Sequence, residues 1–124
     1  MTNYNQLITD MGKYAQAQYP FEACGIITND FDFIPSKNIS NKPRHSFMID
    51  PVLLVENDGN IWGIFHSHPN EAHSQPREED LKHIVYDNLK FVLGVNNNMF
   101  IYWYDTEKGI KRYEKLNESH FENN

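Results

Sequence analysis

One cysteine, Cys24, stands in the whole chain, so no internal disulfide can brace the fold. That suits a reducing compartment, or a protein that has no need of bridges. Basic charge is also scarce: 11 Lys and Arg stand against 17 Asp and Glu, a formal net charge of −6 at pH 7. A phosphate backbone would repel such a surface, and no basic cluster offsets the deficit, which argues against nucleic-acid binding. No apolar run approaches the length needed to span a bilayer, which argues against a membrane protein. Met1-Thr2-Asn3-Tyr4-Asn5 has neither a basic n-region nor an apolar h-region, so no secretory leader is expected. The expected location is a cytoplasm, or a particle assembled in one. Internal repeats, linkers and low-complexity segments are absent from the sequence.

What is present suffices for one core. The 124 residues suit a single domain, and 40% apolar with 14% aromatic residues excludes global disorder. Leu7, Ile8, Met11, Ala15 and Tyr19 recur at helical spacing, which predicts a helix over 4–19 stopped by Pro20. Ala23 to Thr28 reads as a buried strand. Asn29-Asp30 is a turn, and Phe31 to Ile39 predicts a second strand. A short strand is expected at Ser46–Ile49. Asp50 as N-cap and Pro51 at the first helical position predict a helix over 51–56, closed by the turn Asn57-Asp58-Gly59-Asn60. Ile61 to Ser67 is the central strand.

A helix is expected over 77–89, with acidic residues in its first turn and Leu81, Ile84, Val85 and Leu89 on one face. Strands follow at Phe91–Val95, Met99–Tyr104 and Ile110–Leu116. The aromatic run Phe100, Tyr102, Trp103 and Tyr104 reads as core and cross-strand packing. The expected architecture is a mixed α/β (α+β) single domain over 1–116. Its central mixed sheet is flanked by helices and mostly antiparallel in its second half. Residues 117–124 are expected to be a polar, frayed tail.

Chemistry concentrates at His66-Ser67-His68-Pro69, where the central strand meets a polar loop. Side chains alternate along a strand, so His66 and His68 point to one face and can share one divalent metal. A catalytic zinc takes three protein ligands and keeps one open position. Asp80, at the start of the helix after the loop, can reach back as the third. Bound zinc lowers the pKa of its water towards about 7. A carboxylate off the metal would then take a proton from the water and hand one to the leaving group. Glu22, Glu71, Glu78 and Glu79 are candidates that composition does not separate. His73 and His83 read as surface residues, and His45 and His120 carry no signal. Cys24 reads as a small buried hydrophobe, with no basic group evident beside it.

His66-Ser67-His68-Pro69, the following loop, Pro76 and Asp80-Leu81 resemble the signature of the JAMM/MPN metallopeptidase family, H-x-H-P followed by P-S-x-x-D. Upstream, Tyr19-Pro20-Phe21-Glu22-Ala23-Cys24-Gly25-Ile26-Ile27 resembles that family's P-x-E-x-C-G segment. The resemblance runs from the first helix to about Tyr104. It implies a JAMM/MPN-like (cytidine deaminase-like) fold, one zinc ion held by His66, His68 and Asp80, and Glu22 as the general acid/base. The activity implied is zinc-dependent peptidase or isopeptidase hydrolysis of an amide bond in a protein or peptide.

Within the family, Asn38 to Pro51, with Phe47 and Ile49-Asp50-Pro51, resembles the JAMM domain of phage tail assembly proteins. Those domains often accompany an NlpC-type peptidase domain. This chain has no room for one, so the expectation is a standalone domain or a separately encoded partner, with tail-tip proteins as further partners. The implied setting is the host cytoplasm during assembly, or the virion tail. Two alternatives are a catalytically weak binding or scaffold module of a tail complex, and a cellular deconjugating enzyme acting on ubiquitin-like proteins.

The sequence departs from the family pattern twice. The loop between Pro69 and Pro76 holds six residues, one more than usual, and Arg77 stands where the family has serine. That serine stabilises the tetrahedral oxyanion, and losing one such donor costs about a hundredfold or more in rate. Ser74 or Arg77 could supply donors instead. Counting rigidly from His68 lands on Glu79. Asp80 is preferred because a loop absorbs an insertion more easily than a helix start, and Leu81 then keeps its core-facing place.

Overall fold

The computed structural model describes residues 4–69, 89–95, 98–105 and 107–121. Helix α1 spans Tyr4–Gln18 and buries Leu7 and Met11, one turn apart, with Ile8 and Ala15 alongside. It stops before Tyr19-Pro20, because the residue preceding a proline is disfavoured in the α region. Strand β1, Cys24–Thr28, is buried at every position, as an interior strand is.

The next strand is shorter than the predicted 31–39. Strand β2 spans only Phe33–Ser36, because residues ahead of it make a turn in which Phe31 takes φ 65°. Positive φ is costly for a bulky residue. Burial of the Phe31 ring, edge-on to Trp62 at 5.5 Å, offsets that cost. The strand expected at Ser46–Ile49 is reduced to a single bridge between Asn38 and Ile49. The Asn38 side chain explains the loss. It accepts from Met48 N and donates to Ser46 O, occupying the groups a ladder would use.

Helix α2, Pro51–Glu56, starts as predicted: the Asp50 carboxylate accepts from Val52 N at 3.0 Å and Pro51 occupies the first turn. Strands β3 (Ile61–His68), β4 (Lys90–Val95), β5 (Asn98–Asp105) and β6 (Ile110–Lys115) complete one six-stranded sheet in the order β2-β1-β3-β4-β5-β6. β3 and β4 are parallel and every other neighbouring pair is antiparallel. The sheet is mixed, as expected, with antiparallel pairing beyond β4. The helix expected over 77–89 lies outside the described residues, apart from Leu89.

The sheet has two covered faces. On one, Leu7 and Met11 of α1 meet Phe65, Val92 and Ile101. On the other, Cys24, Ile26 and Ile49 pack with Leu53 and Leu54 of α2. Beside them Phe91 stacks on its cross-strand partner Tyr102, with centroids 5.3 Å apart. Gly25 is required by close approach: a Cβ there would lie 2.5 Å from Ile34 O and 2.5 Å from the Phe33 ring. Without a side chain at Gly25, Phe33 crosses to meet Phe65 edge-on at 5.5 Å.

Within the segment expected to be a frayed tail, four residues are structured. Glu118–Phe121 forms a 3-10 turn, and the Phe121 ring lies 4.8 Å from Trp62 and 5.2 Å from Phe31. An apolar ring inside a polar tail has a reason to dock wherever a core edge is open. No helix among the described residues is long and apolar enough to cross a membrane.

Candidate metal centre

The antiparallel register of β1 on β3 builds the site. Cys24 pairs with His66, and Ala23 and Ser67 carry the pairing one step further: Ser67 N donates to Ala23 O at 3.0 Å. One more step places Glu22 opposite His68. Because faces alternate, Glu22, His66 and His68 share the sheet face away from α1. All three are buried, and their candidate ligand atoms lie within 4.8 Å of one another. Period-two alternation supplies the histidines, and the neighbouring strand supplies the carboxylate.

Four further side chains hold this arrangement. Ser67 Oγ accepts from Ala23 N at 2.9 Å, tying the start of β1 to the end of β3. Asn38 clamps Glu22 through its backbone: the Asn38 amide donates to Glu22 O at 2.9 Å, while Glu22 N donates to Pro43 O at 2.7 Å. The same amide reaches Ser46 O at 3.0 Å, and Asn38 Oδ1 accepts from Ser40 N at 3.0 Å and Met48 N at 3.1 Å. Nitrogen faces carbonyls and oxygen faces N–H groups, so the network fixes the amide's orientation. Phe47, carried on the segment that Asn38 organises, stacks on the His66 ring with centroids 4.4 Å apart and planes 18° apart. Tyr102 meets His66 edge-on from β5 at 6.4 Å. The imidazole is therefore held between two aromatic rings.

Asn38 and Phe47 were visible in the segment that resembles tail-assembly domains, but neither carried an assigned role. An Asn between a strand and a turn is a signal for the bond its side chain makes two residues ahead to Ser40 N. The longer reach to Glu22 had no local signal. Asp80, Glu71, Glu78, Glu79, Ser74, Arg77, His73 and His83 lie outside the described residues. His45 is exposed, and His120 pairs with Glu114 at the far edge of the sheet, at 2.5 Å.

The donor set fits a divalent metal. Two imidazoles and a carboxylate match the nitrogen and oxygen ligands that zinc takes. Burial beside aromatic rings lowers the local dielectric and strengthens every charge interaction there.

Cys24, across from His66 in the register, is buried, and its thiol donates to Ser36 O at 3.9 Å. Burial pushes the thiol pKa from 9.0 up to about 11; the nearby Glu22 charge adds to the rise and the Ser36 contact opposes it. The folded protein should therefore resist iodoacetamide at pH 8 and react only once unfolded by urea. Because the folded pKa is the higher one, stability is fully present below pH 9.0 and is lost as pH rises through about 11. That loss should reach about 2 kcal/mol and be missing from Cys24→Ala. Equal alkylation rates with and without urea would contradict the buried placement.

Residues 5–109 match the family described as prokaryotic homologs of the JAB domain. Tail tip assembly protein K of Escherichia phage N15 is 35% identical over 72 residues, which cover 54% of this chain and 29% of that protein. The chain thus spans less than a third of that relative's length. The solution structure of a protein from Salinibacter ruber superposes with a TM-score of 0.50 at 15% identity, covering 94% of this chain and 90% of that one, a likeness of fold. With the family match running from α1 to beyond β5, and a Glu-His-His group at the strand ends, the chain belongs to the prokaryotic JAB-domain family.

Proposed function

We propose that the chain is a zinc-dependent metallopeptidase or isopeptidase that hydrolyses an amide bond of a protein substrate in phage tail assembly or maturation. The observation that carries this reading is the convergence of buried Glu22, His66 and His68 within 4.8 Å. On this reading His66, His68 and Asp80 hold one zinc ion, and Glu22 moves the proton. The bound ion supplies Lewis acidity for the scissile carbonyl and lowers the pKa of water near it. Glu22 takes the proton of the attacking water and delivers it to the departing amine nitrogen. Its backbone is held on both sides, by Pro43 O and by the Asn38 amide, so the carboxylate is in place before the reaction starts. Phe47 and Tyr102 hold the His66 ring in one orientation.

The tail setting rests on the name of the phage N15 relative. It makes tail-tip proteins and a separately encoded NlpC-type peptidase the expected partners, in the host cytoplasm or the virion tail. Arg77, in place of the family's serine, favours a second reading, a tail-complex module that keeps the metal and does little chemistry.

Calorimetric titration of the metal-free chain tests the first reading. One zinc per chain is expected. His66→Ala or His68→Ala should weaken it by more than the roughly 100-fold that loss of an outer-shell partner can cause. Cleavage of a tail protein should stop with chelator and return with zinc. Absence of stoichiometric zinc binding, or cleavage that ignores the chelator, would overturn it.

A further inference from the structure

On the sheet face opposite the histidine rings, a cavity of about 690 Å3 lies between α1 and the ends of β3, β4 and β5. It reaches His68 and Pro69, so it adjoins the candidate metal centre. Gly12 of α1 lines it. A helix-interior glycine is less stable than alanine there, yet a Cβ at Gly12 would meet nothing within 4 Å. Among the described residues packing therefore gives no reason for this glycine, and its side chain would enter the cavity that it lines. Gly94 of β4 forms the facing wall, where a Cβ would lie 3.3 Å from the Phe65 ring and 3.5 Å from Met99 Sδ. Anything larger than a methyl at Gly94 would crowd Phe65 or occupy the cavity. The charge of the lining is also unlike that of the chain. Among the described residues no acidic side chain lines the cavity, although the chain carries a net charge of −6, and Lys13 is the one lysine or arginine among them on its rim.

We propose that this cavity is a substrate pocket that takes an apolar side chain between Gly12 and Gly94, with a carboxylate of the same peptide beside Lys13. The substrate class is then an acidic peptide segment that passes over the end of β3, with an apolar residue in the cavity on the α1 side and the scissile bond at the histidine pair. This deepens the hydrolase reading and rests on it, because the pocket and the metal centre share His68.

Amide NMR spectra of the full chain, with and without zinc, test the pocket using N-acetyl-leucine and its uncharged counterpart N-acetyl-leucine amide. Saturable shifts at Gly12 and Gly94 are expected from both probes. The carboxylate probe should bind about threefold to fivefold more tightly, the range of an exposed charge pair. Gly12→Leu should fill the pocket and abolish the shifts while the rest of the spectrum stays folded. Lys13→Gln should make the two probes equal. No saturable shift at Gly12 and Gly94, unchanged binding in Gly12→Leu, or equal affinity for both probes in the unaltered chain would each overturn the proposal. Failure of the hydrolase reading has a different signature: zinc binding is missing while the probe shifts remain.

Discussion

Glu22→Gln is expected to retain zinc and to lose amide hydrolysis by about 10²–10⁴-fold, the usual contribution of a positioned general base. The substitution is isosteric, and two bonds that place this residue run through its backbone, to Pro43 O and from the Asn38 amide. Neither bond depends on the carboxylate, so the fold should survive. Only the capacity to accept a proton is removed. The variant also separates two roles that the geometry admits, because the Glu22 carboxylate belongs to the same close group as the imidazoles. As a base, Glu22 leaves zinc affinity near its original level when replaced by glutamine. As a third ligand in place of Asp80, it takes much of that affinity with it. Cleavage at the unaltered rate would sink the proton-transfer role. Zinc at full occupancy with no turnover, even before substitution, would favour the tail-complex module instead.

Asn38→Asp is expected to destabilise the fold by about 1–3 kcal/mol, although the two side chains differ by one atom. Aspartate keeps the bonds accepted from Ser40 N and Met48 N. It loses the donors to Glu22 O and Ser46 O, and sets a negative oxygen against those carbonyls. Asn38 is half-buried, so water relieves part of the repulsion and the estimate stays in the low range for an unsatisfied group. A loss of this size is a large share of the roughly 5–15 kcal/mol that holds a domain together. Carbonyl neighbours raise the aspartate's folded pKa. Its stability deficit should then shrink as pH falls, because the protonated acid can donate again. Urea midpoints across pH measure this, and amide exchange at Glu22 should quicken in step. A midpoint equal to that of the unaltered chain would show that the Asn38 network does not hold Glu22.

Much of the local structure was legible in the residues. The helix of 4–19 needed only the spacing of Leu7, Met11 and Ala15. The start of α2 needed only Asp50-Pro51, because an N-cap is satisfied within its own first turn. Where a long-range partner competes with local preference, reading along the chain failed. Ser46–Ile49 has strand-like residues, yet the Asn38 side chain takes the bonds of Ser46 and Met48. Phe121 sits in a polar tail, yet finds Phe31 and Trp62 at an open edge of the core.

The candidate site divides along the same line. That His66 and His68 share a face follows from the two-residue period of any strand, and the sequence alone determines it. That Glu22 stands beside them depends on β1 docking against β3 in one register. A slip of one residue would turn Glu22 to the other face of the sheet. Ala23 and Ser67 are 44 positions apart, and their bonds hold that register. No nearest-neighbour preference reaches so far along a chain. The imidazoles were therefore written in the sequence, and their carboxylate partner was chosen by the sheet.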